Sequence, residues 1–322
     1  MGNPRLDVVI QMLRDRQQDE VSSIADARRR LEDLAAMSPA VAGTRFEAVS
    51  AHGVPCEWVT APRARDVGTI VYLHGGGYGL GSVATHRALV SRLSQASGLR
   101  ALAVGYRLAP EHPFPAAVED AVTVHRWLWE CGVAPAKVIV AGDSAGGGLA
   151  IATLLALRER GGSLPGGAVC LSPWVDLEAS GASAMISGHC DPMVGREELL
   201  FMAGLYLAGA DPRSPLASPV HGDLRGLPPL FVQVGTAEVL LDDAVRLVER
   251  VRDAGGEAIL ERWQDMIHVW HAFAPFLPEA SDAIGRAGAW MRARVGVRQN
   301  AARATTGVAR ACRAAAAGGR GA

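Results

Sequence analysis

Short apolar runs alternate along the chain with amphipathic segments, and this spacing indicates the fold class. The apolar runs predict strands at residues 69–73, 99–104, 138–141, 168–171, 230–234 and 258–263. The segments between them predict helices at residues 85–97, 116–131, 145–160, 242–254 and 281–295. Such alternation is typical of an α/β fold with a mostly parallel central sheet and helices on both faces.

Other regions depart from this rhythm. Residues 3–37 have helical spacing and many charges, with one apolar stripe formed by Leu6, Val9, Ile10 and Leu13. Residues 172–226 carry five prolines and a helical patch at 196–207, which suggests an insertion above the sheet. We therefore divide the chain into an N-terminal helical cap segment at 1–45 and a main domain at 46–295. The insertion at 172–226 is interpreted as a second part of the cap.

The edges of the main domain are less regular. Residues 45–59 alternate enough to predict one or two edge strands, and residues 62–66 predict a loop. Residues 296–322 form an Ala- and Arg-rich tail without an apolar stripe, for which we expect disorder.

Composition narrows the functional classes. The 322-residue chain is 49% hydrophobic and has a net charge of −1, which gives no reason to expect nucleic acid or an anionic membrane as a partner. No apolar run approaches the roughly 20 residues of a spanning helix, and the charged N-terminus lacks a signal-peptide core. We therefore expect a cytoplasmic protein without a membrane span. The five cysteines are odd in number and lack a C-x-x-C pair, so we expect reduced thiols and no metal site: Cys56, Cys131, Cys170, Cys190 and Cys312.

A candidate nucleophile follows the run at 138–141. Gly142, Asp143, Ser144, Ala145 and Gly146 form a G-x-S-x-G motif between a predicted strand and a predicted helix. In that context the serine lies in a tight turn that exposes its hydroxyl, and the flanking glycines avoid side-chain clashes. The alternatives are a closely packed glycine turn or a phosphate-binding loop. The strand and the helix favour a nucleophile elbow.

A second glycine motif follows the strand at 69–73. His74, Gly75, Gly76 and Gly77 form the HGGG pattern of lipase and esterase oxyanion loops. Glycines let the backbone approach a substrate and present N–H groups to a developing negative charge. A simple glycine turn is the alternative, but the two motifs on successive strands are more specific together than either is alone.

The remaining members of a catalytic triad are expected after later strands, in the order acid and then histidine. Glu238 follows the strand at 230–234 and is the predicted acid, with Asp242 and Asp243 as alternatives that could instead cap the next helix. His268 follows the last strand and is the predicted base. His271 is the alternative, interpreted as a surface or packing residue. The other histidines precede the acid in sequence and are poor candidates: His74, His86, His112, His125, His189 and His221.

These motifs together resemble the hormone-sensitive-lipase-like family of bacterial esterases. The resemblance covers about residues 69–295 and is carried by HGGGYGLGS, YRLAPEHPFPAAVEDA, GDSAGGGLA, SPWVDLEASG, GTAEVLLDDA and DMIHVWHAF. It implies an α/β-hydrolase fold with a helical cap and hydrolysis of short acyl esters. It also implies oxyanion N–H groups from Gly76, Gly77 and Ala145. Most members carry Asp where this chain has Glu238. The particular residues within the motifs also resemble those of a subgroup of ε-lactone hydrolases.

We therefore expect a carboxylic ester hydrolase that acts through a Ser-His-Glu triad and an acyl-enzyme, without a metal or organic cofactor. Its partner would be a small-molecule ester, and a homodimer is left open. We expect the stripe of residues 6–13 to face the active-site mouth rather than the sheet. The alternatives are a lactone hydrolase, an amide hydrolase or an acyltransferase with the same machinery, and a non-catalytic ligand-binding protein on the same fold.

Overall fold

The structure, a computed structural model, describes residues 3–17, 23–186 and 191–296. Its centre is a sheet of eight strands: β1 Arg45–Ala51, β2 Val54–Thr60, β3 Arg65–Leu73, β4 Leu99–Val104, β5 Val138–Asp143, β6 Gly167–Leu171, β7 Leu230–Gly235 and β8 Ala258–Trp263. The strands lie in the order β1-β2-β4-β3-β5-β6-β7-β8. Strand β2 is antiparallel to β1 and to β4, and all the other pairs are parallel.

The predicted fold class is confirmed, and the apolar runs are the strands. The one large difference is at β3, which begins at Arg65 instead of residue 69 and shortens the predicted loop at 62–66. Arg65 pairs with Leu99, and the register then shifts before Thr69. Such an irregularity breaks the alternation of apolar and polar positions, so the start of this strand is not visible in the hydrophobic pattern.

Nine helices are described in this part of the chain: α1 Pro4–Gln17, α2 Ile24–Ala36, α3 Val83–Ser97, α4 Ala116–Glu130, α5 Ala145–Glu159, α6 Ala182–Ile186, α7 Arg196–Leu207, α8 Leu241–Asp253 and α9 Pro278–Arg294. Side chains of each strand point alternately to two faces of the sheet, so two buried clusters form. Ile70 and Tyr72 of β3 pack in the cluster with α3 and α9, whereas Val71 and Leu73 pack in the cluster with α4, α5 and α8. The sheet is therefore covered on both faces, as predicted.

The N-terminal segment contains two described helices rather than one continuous one. Leu6, Val9 and Leu13 are buried in the α3 and α9 cluster, and the Asn3 amide donates to Glu279 of α9 at 2.8 Å. The prediction that the whole stripe faces the active-site mouth was therefore wrong, and of its four members only Leu13 lines the cavity described below. An apolar stripe removes more surface from water against a helical layer than at an open mouth.

The predicted insertion at 172–226 contains α6, α7 and a 3₁₀ turn at Pro219–His221, and the helix predicted at 196–207 is α7. Among the helices described here, none has the length and apolarity needed to cross a bilayer. The predicted tail at 296–322 lies outside the described residues except for Gly296, as do His189, Cys190 and Cys312.

Candidate active site

Ser144 occupies the turn between β5 and α5. Its backbone has φ +51° and ψ −123°, a conformation that residues other than glycine rarely adopt. A Cβ atom at Gly142 would collide with the Gly146 carbonyl, and one at Gly146 would collide with the Leu73 carbonyl. Both glycines of the motif are therefore required by the close approach of strand and helix, and the turn holds the serine hydroxyl above the sheet.

Three predicted side chains meet at the carboxyl ends of the strands. The Ser144 Oγ lies 2.9 Å from His268 Nε2, and His268 Nδ1 lies 2.8 Å from Glu238 Oε2. A carboxylate can only accept, so Nδ1 carries the proton and Nε2 is left to accept from the serine hydroxyl. All three side chains are buried. This geometry allows proton transfer from the serine to the histidine.

The carboxylate of Glu238 is held by two further donors. Its Oε1 accepts from the Gly235 N–H and, at 2.8 Å, from the Ser172 hydroxyl. Ser172 in turn accepts from the Val269 N–H, next to His268. Sequence reasoning missed Ser172, although a polar residue directly after β6, between the strands that bear Ser144 and Glu238, was a usable signal.

The alternative acids anchor the insertion. The Asp243 carboxylate accepts the N–H groups of Val175 and Asp176, both at 2.9 Å, and burial raises its pKa to about 7. Asp242 accepts the Ser183 N–H at 2.8 Å. Neither caps α8, whose N-cap residue is Leu240 and has no side-chain cap bond. The suggestion that they cap this helix was wrong because the adjacent insertion offers them buried N–H groups.

His271 is a packing residue and is fully buried rather than at the surface. Its Nε2 lies 3.0 Å from Gln233 Oε1, and burial lowers its pKa to about 3. It belongs to the 3₁₀ turn Trp270–Phe273, and none of its hydrogen bonds in the described chain involves Ser144. Of the two candidate histidines, only His268 contacts the serine.

Asp191 is a second carboxyl group beside His268 that sequence reasoning missed. Its Oδ2 accepts the His268 N–H at 3.2 Å and its Oδ1 accepts the Met193 N–H at 2.9 Å. Burial raises its pKa to about 7. Burial alone would lower the pKa of His268, but the hydrogen bond and charge of Glu238, together with the charge of Asp191, raise it above its ordinary value. The site therefore favours a histidine that can take up a proton.

The glycine loop after β3 faces the same site. Gly76 and Gly77 have φ values of +110° and +60°, and a Cβ atom at Gly77 would press on Met202 of α7 at 3.0 Å. Ala145 is the first residue of α5. Within the described residues, the N–H groups of Gly76, Gly77 and Ala145 donate to no protein acceptor. Unpaired backbone donors beside a serine hydroxyl are suited to bind an oxyanion.

A buried polar network supports this loop from below. Asp143 Oδ1 accepts from the Tyr72 hydroxyl at 2.6 Å and from the Gly75 N–H at 3.1 Å, and its Oδ2 lies 3.4 Å from His86 Nε2. Burial would raise the pKa of Asp143, but His86 and Tyr72 lower it to about 2. His74 donates from Nδ1 to the Gly75 carbonyl at 2.8 Å, and burial lowers its pKa to about 3. The network holds the loop in place. The role of His86 in this network was not predicted from the sequence.

A cavity of about 940 Å³ opens above these groups. Its floor includes Ser144, His268, Gly76 and Gly77. Its walls come from the N-terminal helices and from the insertion, and most of the wall residues are apolar: Met12, Leu13, Ile24, Ala27, Leu31, Leu34, Met193, Leu199, Phe201 and Met202. Such a lining suits an apolar ligand with its polar group at the floor.

One group of possible metal ligands lies elsewhere. Oxygen or nitrogen atoms of Asp176, Glu178 and His221 lie within 4.8 Å of one another. Arg246 pairs with Asp176 at 2.7 Å and Arg213 pairs with Glu178 at 3.0 Å. These arginines already supply the positive charge, and none of the three residues lines the cavity.

The described fold agrees with those of known proteins. A family model for the alpha/beta hydrolase fold matches residues 70–272. The chain belongs to the α/β hydrolase family. This hydrolase is 52% identical over 240 residues to an acetyl-hydrolase of Streptomyces hygroscopicus, a match that covers 74% of this chain and 80% of that protein. It is 29% identical over 304 residues to a carboxylesterase of Mycobacterium tuberculosis, covering 89% of this chain and 95% of that protein.

Solved structures place the hydrolase further within the family. It matches the crystal structure of an esterase from the bacterial hormone-sensitive lipase family with a TM-score of 0.90 and 49% identity, covering 92% of this chain and 100% of that one. A crystal structure of an esterase/lipase from an uncultured bacterium matches with a TM-score of 0.88 and 43% identity, covering 92% of this chain and 100% of that one. The chain is thus a carboxylic ester hydrolase of the hormone-sensitive-lipase type, as the motifs predicted.

Proposed function

We propose that Ser144 is the nucleophile of this esterase, that His268 is its general base and that Glu238 orients the histidine. The observation that carries the proposal is the continuous hydrogen-bond chain from Glu238 through His268 to Ser144, which ends at the floor of the apolar cavity. A nucleophile, a base and an orienting acid in this order are the parts that acyl transfer requires.

The reaction then proceeds in two halves. Ser144 Oγ attacks the ester carbonyl carbon while His268 Nε2 takes up the hydroxyl proton, and the carbonyl oxygen becomes an oxyanion. The tetrahedral intermediate collapses, the bond to the alcohol oxygen breaks, and His268 returns the proton to the departing alcohol. Water attacks the acyl-enzyme by the same route, which releases the carboxylic acid and restores the serine. Glu238 stabilises the histidine cation in both halves.

The oxyanion is bound by the N–H groups of Gly76, Gly77 and Ala145. Their lack of other protein acceptors among the described residues supports this assignment. The loss of one such donor in a protease costs about 3 kcal/mol of transition-state stabilisation. The buried network of His74 and Asp143 beneath the loop keeps these donors in place before the substrate arrives.

We propose further that the cap forms the walls of the cavity and thereby selects the substrate. The segment 1–45, with helices α1 and α2, and the predicted insertion 172–226, with α7, together supply most of the apolar lining. The relative from Streptomyces hygroscopicus is named an acetyl-hydrolase, which supports short acyl groups as the substrate class here. An apolar wall also excludes water and thereby strengthens the interaction between the oxyanion and its donors.

Replacement of the nucleophile tests the proposal. Ser144→Ala should lower kcat for 4-nitrophenyl acetate by about 10⁴-fold or more, since the members of a triad act as a unit. Ser163, which is exposed in the loop after α5, provides the matched control, and Ser163→Ala should keep wild-type turnover. A fluorophosphonate should label the wild-type enzyme on Ser144, as read by mass spectrometry of the peptides. A folded Ser144→Ala enzyme with wild-type turnover, or a label on another residue, would contradict the assignment.

A further inference from the structure

Arg28 of α2 reaches from the cap onto the loop that carries the proposed oxyanion donors. Its Nε donates to the Gly79 carbonyl at 2.9 Å and its Nη2 donates to the Ala109 carbonyl at 3.0 Å. The outer edge of the guanidinium forms a bidentate pair with Glu111 at 2.8 and 2.7 Å. One side chain therefore joins α2, the glycine loop and the loop before α4.

The Gly79 carbonyl belongs to a peptide unit that continues toward the site. The N–H of the same peptide unit, on Leu80, donates to the Gly76 carbonyl at 2.7 Å. That carbonyl shares its peptide unit with the N–H of Gly77, one of the proposed oxyanion donors. A chain of three donations thus runs from the guanidinium, through two peptide units, to the oxyanion.

A second branch ends at the same carbonyl. The Ala109 N–H donates to the Tyr78 carbonyl at 2.9 Å, and the N–H of that peptide unit, on Gly79, donates to the Gly76 carbonyl at 3.1 Å. Arg28 holds the Ala109 end of this branch as well. The Gly76 carbonyl therefore accepts two N–H groups, which restricts rotation of the peptide that bears the Gly77 N–H.

Hydrogen bonds in such a chain polarise one another, and each bond is strengthened by about 10–30% in condensed-phase estimates. A guanidinium at one end draws electron density through each peptide unit and makes the last N–H a better donor. The geometric effect acts in the same direction, because an oxyanion donor contributes most when it is fixed before the reaction begins.

We propose that Arg28 is a positioning residue for the oxyanion site, and that it acts through the Gly79–Leu80 and Gly76–Gly77 peptide units. The proposal rests on the proposed function, in which the Gly77 N–H binds the oxyanion. It makes the N-terminal helix α2 a part of the catalytic apparatus as well as a wall of the cavity. The proposed ligand of the polarised donor is the tetrahedral oxyanion and not the ground-state ester.

The test compares variants of Arg28 with two matched controls. Arg28→Met keeps an unbranched stem and removes every donor, whereas Arg28→Lys keeps the charge and loses the planar fork. Glu111→Gln removes the ion pair and leaves both carbonyl bonds. Arg29, the next residue on α2, pairs only with Asp26 in the described chain, so Arg29→Met controls for the loss of an arginine from this helix.

Four quantities separate a positioning role from damage to the cap: kcat and KM for 4-nitrophenyl acetate, and the affinities for the two members of a matched pair of ketones. A trifluoromethyl ketone forms a tetrahedral oxyanion on the serine, whereas the corresponding methyl ketone stays trigonal. For Arg28→Met we expect kcat and trifluoromethyl ketone affinity to fall together by about tenfold, less than the 10²- to 10³-fold loss of a whole donor. KM and methyl ketone affinity should change by less than about twofold, because substrate and trigonal ketone make no oxyanion.

Arg28→Lys should show a smaller loss in the same two quantities, and Glu111→Gln and Arg29→Met should match the wild type. The proposal is overturned if Arg28→Met keeps both quantities, or if both ketones lose affinity equally. Should Arg28→Met fail to fold, Arg28→Lys decides by the same criteria. Ser144→Ala is assayed in parallel: if it retains turnover the proposed nucleophile is wrong, and that result is separate from any effect at Arg28.

Discussion

The orienting acid of the proposed triad can be tested by a change of one atom. In Glu238→Gln an amide nitrogen replaces one carboxylate oxygen, and the surrounding donors determine where that nitrogen lies. The Gly235 N–H can only donate, so the amide oxygen must lie at the position of Oε1, where it accepts from this N–H and from the Ser172 hydroxyl. The amide NH₂ is then directed at His268 Nδ1.

This orientation reverses the tautomer of the histidine. Nδ1 must accept from the amide, Nε2 must carry the proton, and a protonated Nε2 cannot take the proton of Ser144. The equivalent change in a serine protease lowers kcat about 10⁴-fold, which corresponds to about 5.5 kcal/mol of activation free energy. We expect a loss of about 10³- to 10⁴-fold in kcat for 4-nitrophenyl acetate, with KM nearly unchanged because the cavity is not altered.

The pH profile gives an independent check of the same reasoning. Burial opposes the charged form of His268, and Glu238 is the main group that raises its pKa. Activity requires the neutral histidine, so it rises with pH through that pKa. Without the negative charge the pKa falls, and the acid limb of the residual activity should move to lower pH.

Two further variants bracket the result. Glu238→Asp keeps the charge but is one methylene shorter, and a misplacement of about 1 Å can cost about 10²-fold. It should lie between the wild type and Glu238→Gln. Glu57, a buried carboxylate on β2 that pairs with Arg87, supplies a control in Glu57→Gln, which should retain kcat. A Glu238→Gln enzyme within tenfold of wild-type kcat, or an acid limb that moves to higher pH, would refute the role of this carboxylate.

Two other outcomes are expected. Burial raises the pKa of Asp191 in the folded protein to about 7, from an ordinary value of 3.8. Between these two values the folded protein keeps a proton that the unfolded chain releases, so the free energy of unfolding should fall as pH rises from about 4 to 7. Urea unfolding of Asp191→Asn should show a shallower loss over that window, and an unchanged slope would contradict the shift. Leu31 of α2 lines the cavity, and Leu31→Ala should raise KM more for hexanoyl than for acetyl esters. The loss of binding free energy should be at most about 0.8 kcal/mol for each CH₂ that is no longer buried. Equal effects on both esters would place Leu31 outside the acyl site.

The sequence predicted the centre of the sheet well because strands β5, β6 and β7 are almost continuous apolar runs. The start of β3 escaped because a register shift interrupts the pattern, and α9 begins at Pro278 instead of residue 281 because proline is well accepted in the first turn of a helix. The side chains at Ser144, Glu238 and His268 could be chosen because each follows a strand whose end faces the same edge of the sheet.

The supporting groups were harder to predict because they depend on packing between distant segments. Ser172, Asp191 and His86 acquire their partners only when the insertion and the glycine loop fold over the strand ends. The direction of the α1 stripe has the same origin, since Leu6 and Val9 find apolar partners on α3 and α9 that no local pattern reveals. The link from Arg28 to Gly79 spans 51 positions in the chain and has no motif of its own.

The left-handed backbone of Ser144, the proposed nucleophile, lowers the stability of the fold. Residues other than glycine in sparsely populated conformations of this kind cost on the order of 1–3 kcal/mol each, out of a net stability of about 5–15 kcal/mol for a typical domain. A chain with glycine at position 144 would relax this turn and fold more stably, and it would have no hydroxyl with which to attack an ester. Under the proposed function, a change toward greater stability at this position therefore removes catalysis.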